Sequence, residues 1–181
     1  VHDPDLDAPL NAGATYFVEA QYVAEDDTLA GNNHNNVSYR PITVEQQGTT
    51  FVLRVAGSTV REQPAIWAWG ASPDPQVEYD VVDVPGDGRF VVATRGTDLG
   101  GGHWHYEYAV HNQDSDRAVG SFSVPVVSGA TLGNVGFHDV EYHSGEPFDG
   151  TDWSAAIGSG ALTWSTTSFA LDPDANALRW G

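Results

Sequence analysis

The chain has 181 residues and no cysteine, which excludes disulfide bonds and thiolate metal sites such as a type 1 copper centre. The 25 acidic residues face seven basic ones, and the net charge of −18 disfavours partners rich in phosphate, namely nucleic acids and anionic membrane surfaces. No apolar run approaches the ~20 residues of a membrane-spanning helix, so membrane insertion is not expected.

Alternating apolar residues and turn signals divide the first half of the chain into short extended segments. We predict a strand over residues 15–23. After a polar loop, residues 37–45 and 49–56 are predicted to pair as a hairpin, because turn-forming residues separate them. Residues 64–69 are interpreted as a further extended segment.

The second half continues the same pattern, with a predicted hairpin of residues 77–84 and 89–95. The remaining predicted strands are 103–112, 119–126, 134–143, 161–165 and 177–180. No long amphipathic helix is predicted. About ten short antiparallel strands favour an all-β fold, specifically a β-sandwich with jelly-roll-like crossing and no significant helix. We predict one domain over residues 1–181, with a turn cluster near 70–76 as the only candidate boundary.

The segment 103–112 is central to the functional interpretation, because alternate side chains of a strand share a face. One face is aromatic and apolar, and we predict that it is a core stripe made of Trp104, Tyr106, Tyr108 and Val110. The opposite face is either a solvated polar surface or a set of metal ligands, and it carries His103, His105, Glu107, Ala109 and His111.

A second strand is predicted to present further imidazoles. Within residues 134–143 the apolar alternation changes phase at His138-Asp139, which is typical of a β-bulge. Neutral imidazoles suit copper or zinc, so one hypothesis is a transition-metal site of His103, His105, His111, His138 and His143. Three carboxylates would orient these rings: Glu107, Asp139 and Glu141. Solvated or hydrogen-bonded surface histidines are the alternative.

Acidic residues alternate along two loops, as the oxygen ligands of calcium do in many loops. The residues are Asp3, Asp5 and Asp7 near the start of the chain, and Asp172, Asp174 and Asn176 near its end. Neither loop has the glycine of an EF-hand at position six. Calcium is the expected cation, and Asx turns on a solvated rim are the alternative.

Tryptophans provide a third pattern. Trp67, Trp69 and Trp153 are candidates for a polysaccharide-binding face, while core packing is the alternative. No nucleophile elbow and no Ser-His-Asp pattern is found, so no catalytic residue is predicted.

Several stretches of the sequence are distinctive: WHYEYAVHN at 104–112, GSFSVP at 120–125, NVGFHDVEYHSGEPFDGTDW at 134–153 and NALRWG at 176–181. Together with residues 16–40, they resemble a group of secreted β-sandwich proteins of planctomycetes and related environmental bacteria. The resemblance implies export and a β-sandwich. It implies no activity and no catalytic residue. No signal peptide or initiator Met is visible, and both ends are interpreted as processed or trimmed.

Three functions remain open on these grounds. The first is a non-catalytic extracellular or cell-surface protein with a structural role, a matrix or fibre subunit stabilised by calcium that pairs with itself through exposed strand edges. The second is a copper- or zinc-binding metalloprotein, an enzyme if three imidazoles leave a coordination position open. The third is a carbohydrate-binding module with a polysaccharide partner.

Overall fold

The computed structural model describes residues 3–22, 24–71, 76–139, 142 and 145–180. Within these residues, ten strands form three antiparallel sheets, which confirms the all-β prediction. The β-sandwich with jelly-roll-like crossing stays a prediction. The strands are β1 Tyr16–Gln21, β2 Val37–Gln47, β3 Thr50–Val55, β4 Val60–Arg61, β5 Val77–Asp83, β6 Arg89–Gly100, β7 His103–Asn112, β8 Ser121–Pro125, β9 Ser154–Gly158 and β10 Ala161–Ser165.

The helices in the described part of the chain are all short. They are α1 Asp3–Leu6, α2 Glu25–Leu29 and α3 Ala68–Ala71, with 3-10 turns at Asn33–Asn35 and Ala65–Trp67. No helix among the described residues has the length and apolar character needed to cross a membrane.

The backbone contacts divide the chain into two compact units. The larger unit comprises Val1–Ser115 with Trp180–Gly181, and the smaller unit comprises Asp116–Arg179. The prediction of a single domain stays a prediction, and residues 72–75 of its candidate boundary lie outside the described residues.

The first sheet of the larger unit is built around β2. Its order is β1-β2-β3, and the short β4 also pairs with β2. Val37 and Tyr39 of β2 are 0% and 5% exposed, and the ring of Phe17 in β1 contacts that of Tyr39 edge-on at 5.7 Å. These residues give the larger unit part of its apolar core.

The second sheet of the larger unit has the order β5-β6-β7. The turn between β6 and β7 needs three successive glycines, because Gly100, Gly101 and Gly102 have φ angles of 78°, 63° and 81°. Other residues adopt this left-handed region only with strain. The register shifts by one residue between Asp98 and Gly100, and from there β7 pairs with β6 as far as Asn112 opposite Phe90.

The smaller unit has one sheet, in the order β8-β10-β9. Its core includes Trp153 and Leu162, which are 8% and 6% exposed. The Trp153 ring stacks on Phe137 at 5.2 Å, and its indole N–H donates a hydrogen bond to the Asn176 carbonyl. An indole N–H with a partner can be buried without the cost of an unsatisfied donor.

The predicted strand over 134–143 is wrong for the residues that the structure describes, 134–139 and 142, which form no strand. Asn134 has a φ of 54°, which cannot continue an extended ladder. The Gly136 carbonyl instead accepts a hydrogen bond from the indole of Trp164, at 2.9 Å. The predicted bulge at His138-Asp139 is therefore not formed by a strand there, and Val140, Glu141 and His143 lie outside the described residues.

Two other predicted extended segments differ in the structure. Residues 64–69 enter a 3-10 turn and then α3, so Trp67 and Trp69 do not share a strand face. Residues 177–180 form only one isolated bridge, between Leu178 and Val119. β9 was not predicted, because its Ser-Ala-Ala-Ile-Gly sequence has little alternation. The predicted strands 103–112 and 161–165 are confirmed.

Candidate functional site

The register of β6 and β7 shows which face of β7 is buried. Val91 and Ala93 of β6 are 1% and 0% exposed, and they lie opposite His111 and Ala109 of β7. Directly paired residues share a face, so the histidine face is the inward one. The predicted core stripe is wrong for Trp104, which is 54% exposed. Alternation fixes which side chains share a face, but not which face turns inward.

The outward face of β7 carries three aromatic residues, Trp104, Tyr106 and Tyr108, which we call the aromatic row. The ring centroids of Trp104 and Tyr106 are 6.2 Å apart with an interplanar angle of 19°, and those of Tyr106 and Tyr108 are 6.5 Å apart at 16°. Tyr106 is 56% exposed, whereas Tyr108 is half-buried, and this burial raises the pKa of its phenol. The row is therefore a set of near-parallel rings on a sheet, with one end open to solvent.

An open groove of about 400 Å³ lies beside the exposed end of the row, lined by Trp104, Tyr106, Gln76, Glu78, Thr94 and Gly96. Gly96 lies directly opposite Tyr106 in the register. A Cβ at Gly96 would lie 3.2 Å from the Tyr106 ring, closer than most such contacts. The missing side chain thus leaves room for the ring and for the groove.

The sequence interpretation missed the polar residues of this groove. Gln76, Glu78 and Thr94 became neighbours of the row only through the pairing of β5 with β6 and of β6 with β7. Both hairpins had been predicted or implied by the turn signals. Aligning their registers would have placed Thr94 opposite Tyr108 and Glu78 opposite Thr94.

The inward histidine of β7 faces a carboxylate from the other sheet of the larger unit. The Nε2 atom of His111 lies 3.6 Å from an oxygen of Glu19 in β1, and Glu19 also accepts a hydrogen bond from the backbone N–H of Ala65. Burial lowers the pKa of His111, and the negative charge of Glu19 partly opposes that shift. The imidazole is therefore neutral at neutral pH, and its buried Nε2 atom has no hydrogen-bond partner among the described residues.

A second pocket, of about 170 Å³, lies on the inward side of the same sheet, and its lining includes His34, Trp67, Arg89 and Gln113. The polar groups of this pocket form an ion pair and a hydrogen bond within the protein. Arg89 forms a two-point ion pair with Asp83 at 2.6 and 3.0 Å, which raises the pKa of Arg89 and lowers that of Asp83. Gln113 is 2% exposed and donates a hydrogen bond to the His34 carbonyl at 3.1 Å.

The predicted transition-metal residues are dispersed among different environments. His103 and His105 are exposed on β7, His111 is half-buried beside Glu19, and His138 is exposed in the smaller unit. Glu107 lies 3.6 Å from Arg95, and Asp139 accepts a hydrogen bond from Asn176. His143 and Glu141 lie outside the described residues. Among the residues that are described, no group of three or more His, Asp or Glu side chains is placed to hold a metal ion.

The predicted calcium residues take part in local hydrogen bonds. Asp172 accepts a bond from the Asp174 backbone N–H at 3.0 Å, which is an Asx turn. Asn176 is 4% exposed, and its amide donates to Asp139 and to the Thr151 carbonyl. Asp3, Asp5 and Asp7 lie in or beside α1. Calcium binding stays a prediction.

The three tryptophans proposed for carbohydrate belong to two different units, Trp67 and Trp69 to the larger and Trp153 to the smaller. Trp153 belongs to the core of the smaller unit, as described above. Trp67 is half-buried and stacks on Tyr79 at 4.3 Å, and Trp69 is half-buried beside it in α3. The two most exposed aromatic side chains of the described strands, Trp104 and Tyr106, belong to the aromatic row instead.

Comparison with protein-family models, with curated proteins and with solved structures finds no significant match to the chain. The class of protein is therefore assigned from the structure alone. It is an acidic all-β protein that carries a row of aromatic rings on the solvent-facing side of a three-stranded sheet.

Proposed function

We propose that the protein is a non-catalytic, extracellular carbohydrate-binding protein, and that the aromatic row is its binding surface. The observation that carries this proposal is the pair of rings, Trp104 and Tyr106, which are more than half exposed and near-parallel on β7. Exposed single apolar residues need no explanation, but aligned aromatic rings with polar neighbours are typical of a binding site.

The chemistry of a sugar ring fits this surface. Its C–H groups pack against aromatic faces, and each ring contact contributes about 1 kcal/mol. Its hydroxyl groups need donors and acceptors at the edge of the same surface. Gln76, Glu78 and Thr94 supply amide, carboxylate and hydroxyl groups along the groove. Since the row is part of a sheet, the rings need little ordering when the ligand binds.

Other stacking ligands are disfavoured. Bases of single-stranded nucleic acid also stack on aromatic rows, but they bring a phosphate for every base. The protein has a net charge of −18, which repels such a polymer. A neutral or positively charged glycan meets no such barrier.

The test is the affinity of the protein for soluble, neutral β-linked oligosaccharides, such as chitin and cellulose fragments, by isothermal titration calorimetry. Trp104→Ala should lower the affinity about fivefold, because one large ring contact is lost. Tyr22→Ala is the matched control, since Tyr22 is 75% exposed but lies outside the row. Equal binding by both variants and by the unmutated protein, or no binding by any of them, would contradict the proposal.

A second candidate function is a structural role in assembly through strand edges. β3 is the last strand of its sheet, and its Leu53 and Val55 are 53% and 64% exposed. Exposed apolar edge strands are templates for pairing with another chain. Sedimentation velocity over a range of protein, salt and calcium concentrations tests this role. A monomer under all conditions would contradict it, and a Leu53→Lys variant should abolish any oligomer that forms.

A further inference from the structure

The charged groups around the aromatic row have one sign. The register places Asp98 opposite Trp104, and Glu78 and Asp80 on the same face of β5. The two arginines of β6 lie on the opposite face of the sheet, since Arg95 pairs with Glu107 and Arg89 with Asp83. Among the described residues of β5, β6 and β7, every group on this face that is charged at neutral pH is therefore a carboxylate.

One of these carboxylates belongs to the groove itself. Glu78 lines the groove together with Trp104 and Tyr106, and its side chain is exposed. A ligand that lies along the rings meets this negative charge, while Asp98 stands beside Trp104 at the end of the row. Such an arrangement repels uronic acids and sulfated sugars and attracts positive charge.

We infer that the aromatic row selects an amino-sugar polymer with free, protonated amines. This inference rests on the proposed carbohydrate-binding function and adds the chemical class of its ligand. The C–H faces of the sugar rings stack on Trp104 and Tyr106, and the ammonium groups pair with Glu78 and interact with the aromatic faces.

The ring geometry favours an extended polymer over an isolated cation. Cages that bind a quaternary ammonium group surround it with several aromatic faces. The rings of the row instead lie within 19° of parallel, spaced along one strand. A linear polymer can stack successive units on Trp104 and Tyr106 together, whereas a single cation contacts one ring.

The experiment compares two oligosaccharides of equal length and linkage, a chitin fragment and its de-N-acetylated form, at a pH where the free amines are protonated. At low salt the amine form should bind about fivefold more tightly, which is the effect of one exposed ion pair. The advantage should shrink as sodium chloride is raised, because exposed charges are screened. Glu78→Gln should lower the affinity for the amine form more than the affinity for the acetylated form, and so remove this advantage.

Glu25→Gln is the charge-matched control, because Glu25 is an exposed carboxylate of α2 that does not line the groove. It should keep the advantage of the amine form. Equal affinity of the unmutated protein for both sugars would overturn the inference but leave the proposed function standing. If oligolysine of similar length bound as tightly as the amine sugar, binding would depend on positive charge alone, and the inference would be wrong. Failure of both sugars to bind would instead contradict the proposed function.

Discussion

His111 couples the two sheets of the larger unit through its contact with Glu19. Its pKa is lowered, chiefly by burial and against the opposing effect of Glu19. The unfolded chain binds a proton near pH 6.5, before the folded chain does, so acid favours unfolding. The stabilising contribution is complete above about pH 6.5 and is lost as the pH falls from there toward the folded-state pKa.

We therefore expect the melting temperature to fall between about pH 7.5 and pH 5.5, and to fall less in His111→Gln, which has no titrating group there. His103→Gln is the control, since His103 is an exposed histidine on the same strand. If the melting temperatures of His111→Gln and of the unmutated protein fall equally with pH, the His111 imidazole is not the group that makes acid destabilise the fold.

Gly96 is the other residue whose role can be isolated. Gly96→Val would push its side chain against the Tyr106 ring, which must move to relieve a contact of 3.2 Å. We expect oligosaccharide affinity to fall about fivefold while the free energy of unfolding changes by only about 1 kcal/mol. Gly158→Val is the matched control, because nothing lies within 4 Å of a Cβ there. Unchanged affinity in Gly96→Val would show that the groove does not need this gap.

At the scale of elements, the bounds of β7 are as predicted, but the predicted orientation of its two faces is wrong. The aromatic face was expected to be buried and is instead the face exposed to solvent. A strand of aromatic residues resembles a core stripe, because most large rings in proteins are buried. The inward face of β7 is determined by its neighbour β6. Val91 and Ala93 of β6 are buried on one face of the sheet, and Gly96 leaves space for the Tyr106 ring on the other face. The local sequence of β7 carries no information about its neighbours, so the candidate site needed the register of the whole sheet.

Because the aromatic row faces solvent, two tryptophan-to-alanine substitutions should lower the free energy of unfolding by different amounts. Trp104→Ala removes a ring that is 54% exposed and should lower the free energy of unfolding by about 1 kcal/mol. Trp153→Ala removes a ring that is 8% exposed and should cost about 3–5 kcal/mol through the cavity it leaves. Urea unfolding monitored by circular dichroism measures both. A larger cost for Trp104→Ala than for Trp153→Ala would mean that the row is a core stripe after all.

At the scale of the molecule, the charge of −18 dominates the solution behaviour. Mutual repulsion of carboxylates destabilises the folded chain, so the melting temperature should rise with sodium chloride as the charges are screened. The acidic loops predict a further increase with millimolar calcium at constant ionic strength, because an ion that binds only the folded state stabilises it. Melts that coincide in calcium and in chelator at equal ionic strength would rule out calcium binding.

The alternation of apolar residues and the turn signals predicted the all-β class well, because both are local properties of the sequence. It could not predict how the sheets of each unit present their faces, which depends on contacts between residues far apart in the chain. For that reason the candidate site moved from the histidine face of β7 to the opposite face of the same strand.

The most direct test of the central claim is the set of indole N–H signals in a nuclear magnetic resonance titration with an oligosaccharide. The chain has six tryptophans, and the Trp104 signal is assigned by its loss in Trp104→Phe. We predict that this signal shifts progressively with ligand, while that of the buried Trp153 stays in place. An unmoved Trp104 signal at saturating ligand, or a shift confined to the other tryptophans, would contradict the assignment of the aromatic row as the binding surface.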